Sequence, residues 1–310
     1  MMDASDQPCP ACGATGAPAS RMAGADRLHG TGGGYEVTVC PACATGMTQP
    51  RVGPAGLAAL YPPAYGPYAD ADGRLTAAIS RAIRTVQGRL ALRRFPLAAL
   101  RDRPAGRGLD VGCGRGDLAA LLIGNGWSMV GVEPSPAACA AARSRGVDAR
   151  EGTLATVALE PEAYDLVVFQ HSLEHTAEPL HDLERVRAAL APGGAVVVTV
   201  PNFGCWQARR FRDRWYHLDL PRHRTHFTAT GLQRVLDRAG LRLERLETSS
   251  STVGLPATLQ YAVAGRCLFP GGLGLRVASG LCLLAQPLAR LADRVGGAGD
   301  QLHAVAARAR

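Results

Sequence analysis

Residues 108 to 122 read GLDVGCGRGDLAALL. An apolar run carrying Leu109 and Val111 ends in Gly112, Gly114 and Gly116, and a helical pattern opens at Asp117. Strand, glycine turn and helix start, in that order, open a ligand site at the carboxyl end of the first strand of a doubly wound α/β domain. Glycine is needed where the turn takes φ > 0 and where a ligand must approach the backbone. The helix start beyond it offers N–H groups to an anionic group.

The next apolar run, SMVGVEP at 128 to 134, ends in Glu133. An acidic residue about 20 positions beyond the glycines can accept hydrogen bonds from both hydroxyls of a ribose. The turn is G-x-G-x-G, one residue shorter than the dinucleotide fingerprint, so the ligand need not carry a pyrophosphate. These residues alone also fit a Rossmann-type domain that binds another nucleotide, or none.

Four blocks narrow this: LDVGCGRGDL, VGVEPSPAACAAAR, YDLVVFQHSLEHTAEPL and LAPGGAVVVTVPN, in that order between residues 109 and 202. Together they resemble the class I S-adenosylmethionine-dependent methyltransferases. PRHRTHFTATGLQRVLDRAGL, residues 221 to 241, extends the resemblance to a bacterial subgroup with an N-terminal zinc ribbon. The implied fold is α/β: a doubly wound, seven-stranded, mostly parallel sheet whose last strand runs antiparallel between the fifth and sixth. The alternation of apolar runs predicts strands near 107–111, 128–132, 147–150, 165–170, 195–200, 241–248 and 301–308.

The resemblance assigns S-adenosylmethionine to Asp110, Gly112, Gly114, Gly116, Glu133 and Gln170. Asp110 would meet the ammonium, Glu133 the ribose, and the loop Gly152 to Leu154 the adenine. The following segment, FQHSLEHTAEP, places His171 and His175 at the carboxyl end of the fourth strand, as candidates for a catalytic or acceptor-orienting role. Methyl transfer from a sulfonium is in-line displacement at an already activated carbon. Positioning therefore carries much of the catalysis, with a base required only where the acceptor holds a proton of high pKa. No [DN]-P-P-[YF] sequence follows the fourth strand, which counts against methylation of the amino group of a DNA base.

CPACG at 9 to 13 and CPAC at 40 to 43 are two C-x2-C knuckles. Four thiolates so spaced suit a tetrahedral Zn²⁺ with no open position, a structural site. Cys9, Cys12, Cys40 and Cys43 are its expected ligands, and YEVTVC supplies a strand between the knuckles. In the resembled subgroup a glycine follows the second knuckle; here that residue is Ala44.

The chain has 310 residues, nine cysteines, a net charge of +8 and no lysine. Mechanisms that need a lysine, such as a Schiff base, are excluded. The charge permits an anionic small molecule, an acidic membrane surface or RNA, and selects none of them. The polar N-terminus does not read as a signal peptide, and no apolar run reaches the ~18 residues needed to span a bilayer. A cytoplasmic protein, peripheral at most on the inner face of the membrane, is expected.

After the fifth strand, residues 205 to 226 hold six arginines and two aspartates amid aromatic residues. Loops at the carboxyl ends of strands build the substrate side of an open α/β sheet. Arginine forks suit phosphate or carboxylate, and aromatic rings suit sugar or acyl groups. RNA binding and a self-tied structural lid are the alternatives. Trp215, Arg222, His223 and His226 are the candidates for lining an acceptor pocket, by the W…DLPRH…HF pattern of the resembled subgroup. Residues 73 to 100 read as a helix with Leu75, Ile79, Val86 and Leu90 on one face. About 252 to 297 form an apolar helical insertion, either capping the pocket or lying on a bilayer.

The expected organisation is therefore a zinc ribbon at 1–50, a linker and helical cap at 51–104, and a cofactor domain at 105–310. The expected activity is methyl transfer to an oxygen or carbon of a small-molecule, glycan or lipid-linked acceptor. An RNA methyltransferase and a non-catalytic cofactor-binding accessory protein are the alternatives.

Overall fold

The computed structural model describes residues 7–53 apart from 32, positions 56, 60 and 96, residues 103–268, and residues 287–309 apart from 289 and 297. The expected helix at 73–100 and the middle of the apolar insertion lie outside the described residues.

Seven strands build the main sheet: β4 (Arg107–Val111), β5 (Ser128–Glu133), β6 (Asp148–Glu151), β7 (Tyr164–Gln170), β8 (Leu190–Pro201), β10 (Leu241–Ser249) and β11 (Gln301–Arg308). Their order across the sheet is β10-β11-β8-β7-β4-β5-β6. β4, β5, β6, β7 and β8 pair in parallel, and β11 pairs antiparallel to both β8 and β10. This is the strand order expected from the resemblance. Central strands are covered on both faces, so β7 and β8 are runs of buried Val, Leu and Phe rather than alternating patterns. β10 lies at an edge and carries charged residues on its exposed positions.

Helices α1 (Asp117–Ile123), α2 (Pro136–Arg143), α3 (Pro179–Ala189), α4 (Trp206–Phe211), α5 (Ala229–Arg238) and α6 (Gly254–Ala264) connect the strands. Local chemistry sets their starts. Pro136 stands at the beginning of α2, and the Ser135 hydroxyl caps it by accepting from Ala138 N at 3.3 Å. Thr228 caps α5 through Gly231 N at 3.0 Å.

A second, antiparallel sheet has the order β1-β2-β3-β9, from β1 (Ser20–Gly24), β2 (Tyr35–Val39), β3 (Gly46–Gln49) and β9 (Thr225–His226). Its fourth strand comes from the loop beyond β8, so the N-terminal segment is built into the larger body. Cys9, Ala11, Cys40 and Cys43 share one buried apolar cluster with Phe227, Leu232, Val235 and Leu236. Thr228 joins the two layers twice over, capping α5 and donating to the Cys43 carbonyl at 2.7 Å. At Gly231 a Cβ would fall 1.9 Å from Thr45 Oγ1, so only glycine lets α5 approach the knuckle this closely.

Candidate active site

The glycine turn lies where β4 ends. Gly112, Gly114 and Gly116 take φ of 70°, 52° and 75°, a region that side chains other than glycine adopt only with strain. Gly112 N and Cys113 N donate to the Val132 carbonyl at 2.8 and 3.2 Å, which ties the turn to β5. A Cβ on Gly112 would meet Ser172 Cβ at 2.7 Å, and one on Gly116 would press on Ala142 and Val147. A Cβ on Gly114 would meet nothing within 4 Å. Two glycines are thus demanded by packing, and the middle one faces open space.

Glu133, at the end of β5, is buried against this turn. Its Oε2 accepts from Gly114 N at 3.0 Å and its Oε1 from Ser135 N at 2.9 Å. Asp110 is buried beside it. Burial, and then the charge of Glu133, push the Asp110 carboxyl up to about 7. A pair of buried carboxylates around an open glycine turn suits a ligand with hydroxyl donors and a positive charge. S-adenosylmethionine has both, so the residues present fit it. Gln170, at the tip of β7, is exposed.

Beyond β7 the chain turns sharply. His171 takes φ 54° and a 3-10 turn follows at Leu173–His175. His171 Nδ1 stands 3.5 Å from Glu174 Oε1, while its Nε2 accepts from Gln301 Nε2 at 3.1 Å. His175 Nδ1 donates to the Arg222 carbonyl at 3.1 Å, and its ring meets that of His223 edge-on with centroids 4.6 Å apart. Trp215, His223, His226 and Glu174 line one small cavity with Pro201, Phe203 and Thr225. Three of the four residues expected at an acceptor pocket are therefore brought together. Burial and then neighbouring histidines hold His223 well below the ordinary histidine range, and burial lowers His226 to about 3, so both rings are neutral.

Arg222 is a correction. It does not line the cavity: its side chain is fully buried, with Nη2 2.7 Å from both Asp26 Oδ1 and Asp219 Oδ1. A guanidinium occupied in this way is not available to an acceptor. Much of the remaining arginine loop is likewise tied to the protein itself. Arg214 donates to the Ala262 carbonyl at 2.6 Å and Arg224 to the Val52 carbonyl at 3.1 Å, and Asp213 pairs with Arg27. His217 turns to Ser251 and Asp300, at 3.1 and 3.3 Å.

Glu174 was not among the residues singled out from the sequence. A signal was there, because it sits between the two histidines of HSLEH, but nothing in the spacing says that its side chain points inward. In the structure it is 1 % exposed, and neither carboxylate oxygen has a hydrogen bond.

At the other end of the chain, the Sγ atoms of Cys9, Cys12, Cys40 and Cys43 all lie within 4.8 Å of one another. Cys9 and Cys43 are 3.7 Å apart, and Cys12 and Cys40 are 3.5 Å apart. A disulfide needs about 2.05 Å. Four thiolates each about 2.3 Å from a tetrahedral zinc stand about 3.8 Å apart, so the donor set fits that ion.

The fold and the glycine-turn site define a class I methyltransferase domain. The Methyltransferase domain family matches residues 82–246, and the chain belongs to it. Among curated relatives, a ubiquinone biosynthesis O-methyltransferase of Azorhizobium caulinodans is 34% identical over 110 residues, 34% of this chain and 44% of that protein. A 37.1 kDa protein in a transposon of Streptomyces fradiae is 32% identical over 115 residues, 34% of this chain and 33% of that one. The chain spans less than half the length of these relatives. Among solved structures, a SAM-dependent methyltransferase from Thermotoga maritima is 18% identical, with a TM-score of 0.48, over 74% of this chain and 95% of that one. One from Archaeoglobus fulgidus is 17% identical with a TM-score of 0.48, covering 72% and 93%.

Proposed function

We propose that the protein transfers a methyl group from S-adenosylmethionine to an oxygen of a small-molecule acceptor. The observation that carries this reading is the adjacency of two sites. The open glycine turn with Glu133 and Asp110 leads directly into the turn that carries His171, Glu174 and His175, through the contact of Gly112 with Ser172. The matched relatives named as O-methyltransferases favour oxygen over carbon.

When bound, S-adenosylmethionine supplies an electrophilic methyl on a sulfonium. The protein's share is placement. Asp110 would pair with the ammonium, Glu133 would accept from the ribose, and the Gly112–Gly116 turn would let the backbone pass beside the methionine portion. The buried Trp215, His223 and His226 would keep water from the acceptor side. His171 and His175 are the residues proposed to receive or orient the proton of a hydroxyl acceptor.

Zinc in the four-cysteine cluster is proposed as structural, since four thiolates leave no position for a substrate. The insertion after β10 has a further part. Among the described residues, every large hydrophobic side chain that stands exposed lies between Val253 and Val295, with Val263 at 90% and Val295 at 83%. We read these exposed side chains, in a chain of net charge +8, as a peripheral contact with an acidic membrane surface. Among the described residues no helix is long and apolar enough to cross a membrane. Flotation of the full chain with anionic vesicles, lost when Val263, Leu288 and Val295 become Asp, is the expected result. Equal flotation of parent and variant rejects it.

The activity is tested by transfer of labelled methyl from S-adenosylmethionine into a host extract fractionated into lipid, small molecules and glycans, RNA and protein. Label in the small-molecule or lipid fraction supports the proposal. Label in RNA overturns the acceptor class, and cofactor binding without label in any fraction identifies an accessory protein.

A further inference from the structure

Glu174 poses a physical problem that the methyl-transfer site does not solve. Burying a carboxyl group without a hydrogen bond is costly, and folded proteins keep such a group where something pairs with it. Both oxygens of Glu174 are buried without a hydrogen bond. The groups that face it are imidazoles: His171 Nδ1 at 3.5 Å and His223 Nε2 at 3.9 Å from Oε1, with His175 beside His223.

The histidines are oriented as ligands are. His175 Nδ1 donates to the Arg222 carbonyl at 3.1 Å, and His223 Nδ1 donates to the His217 carbonyl at 2.9 Å. Each bond sets the ring's proton on Nδ1 and its lone pair on Nε2. A backbone carbonyl on the far nitrogen is the usual second support of a metal-bound histidine. One ligand atom from each of Glu174, His175 and His223 lies within 4.8 Å of the others. The backbone fixes the three further, since Arg224 N donates to the Glu174 carbonyl at 2.8 Å and joins the two loops.

We propose that Glu174, His175 and His223 bind one divalent first-row transition-metal ion, whose remaining positions hold the oxygen of the methyl acceptor. Two imidazoles and one carboxylate on one side of an ion leave positions open for exchangeable oxygen ligands. The position suits the role. The turn carrying Glu174 begins at Ser172, whose side chain packs on Gly112 of the cofactor turn. Trp215, whose indole N–H has no hydrogen-bond partner, lies beside Glu174 and His223. A metal-bound hydroxyl loses its proton more readily, and the freed proton passes to solvent or to a neighbouring imidazole. The acceptor role rests on the methyltransferase reading above; the metal site does not.

The test is Mn²⁺ titration of the full, zinc-loaded chain followed by electron paramagnetic resonance. One Mn²⁺ per chain, with spin-echo modulation from two imidazole nitrogens, is the expected result in the parent protein and needs no variant. Glu174→Gln and His223→Gln should each weaken Mn²⁺ at least tenfold while zinc content and binding of S-adenosylhomocysteine stay unchanged. Absence of bound Mn²⁺, absence of nitrogen modulation, or equal affinity in the variants overturns the site. Catechol, a probe with two adjacent oxygens, should alter the Mn²⁺ spectrum of the parent. A spectrum unmoved by saturating catechol overturns the acceptor role. Failure of methyl transfer in the extract assay leaves these spectra as they are, so the two readings fail separately.

Discussion

Arg222 and Asp26 lie 196 residues apart and form a fully buried ion pair, with Nη2 to Oδ1 at 2.7 Å and Nη1 to Oδ2 at 3.1 Å. Asp219 completes the arginine's shell through Nε and Nη2. The same Asp26 carboxylate accepts from Leu28 N, His29 N and the Thr31 hydroxyl, and so organises the loop between β1 and β2. One arginine from the loop beyond β8 thereby locks the N-terminal sheet to the cofactor body.

Removing Arg222 leaves the buried Asp26 without its counter-ion, which costs about 3–5 kcal/mol, whereas removing Asp26 leaves Arg222 paired with Asp219. Arg222→Ala is therefore expected to lower unfolding stability by that amount and Asp26→Ala by less, read from urea midpoints. The pH dependence follows from the same pair. Burial alone would raise the Asp26 carboxyl; Arg222 and the loop's donors overcome this and hold it below its ordinary value of 3.8. The stabilisation is therefore fully present above pH 3.8 and is lost as the pH falls below it. Asp26→Ala should flatten the acid limb of the stability profile.

Ala44 stands at φ 57°, in the turn that follows the second knuckle. The Cβ penalty in this region is about 1–2 kcal/mol, partly offset by the greater freedom of glycine in the unfolded chain. Ala44→Gly is expected to stabilise the protein by about 0.5–1 kcal/mol. A lowered urea midpoint would contradict it.

Asp110 gives the opposite sign to Asp26. Its carboxyl is raised from 3.8 to about 7, so the native chain binds more protons than the unfolded one between these values. Stability without cofactor should fall as the pH rises through that window, and Asp110→Asn should remove the slope. Affinity for S-adenosylhomocysteine, which keeps the ammonium, should rise over the same window in the parent protein. Calorimetric titration at pH 5 and pH 8 distinguishes the two forms.

Glu133 holds both the turn and, as proposed, the ribose. Hydrogen bonds to a charged group are worth about 1.5–3 kcal/mol. Glu133→Ala should weaken S-adenosylhomocysteine roughly 10- to 100-fold, and hydrogen exchange at Gly114 and Ser135 should quicken even without ligand.

Chelation should affect more than the knuckles. β3 pairs with β9 at Gly46–His226 and Met47–Thr225, and Thr228 binds the Cys43 carbonyl. Removing the zinc proposed for the four cysteines should therefore raise hydrogen exchange at 35–49 and at 225–228 together. Loosening confined to the N-terminal residues would show that β9 holds without the metal.

The sequence by itself determined the main sheet, the glycine turn and the four-cysteine cluster. Each rests on local pattern: apolar runs such as 195–200 need burial on both faces, three glycines meet one tight turn, and two C-x2-C knuckles offer four thiolates. The tertiary structure alone decided the fates of Arg222 and Glu174. Arg222 reads as a phosphate fork in an arginine-rich loop, yet a carboxylate 196 residues away claims it. Glu174 reads as one polar residue in a short turn, yet the fold points it inward among histidines from two loops. Charge pairing and burial depend on which distant segments the sheet brings together, and no local spacing encodes that.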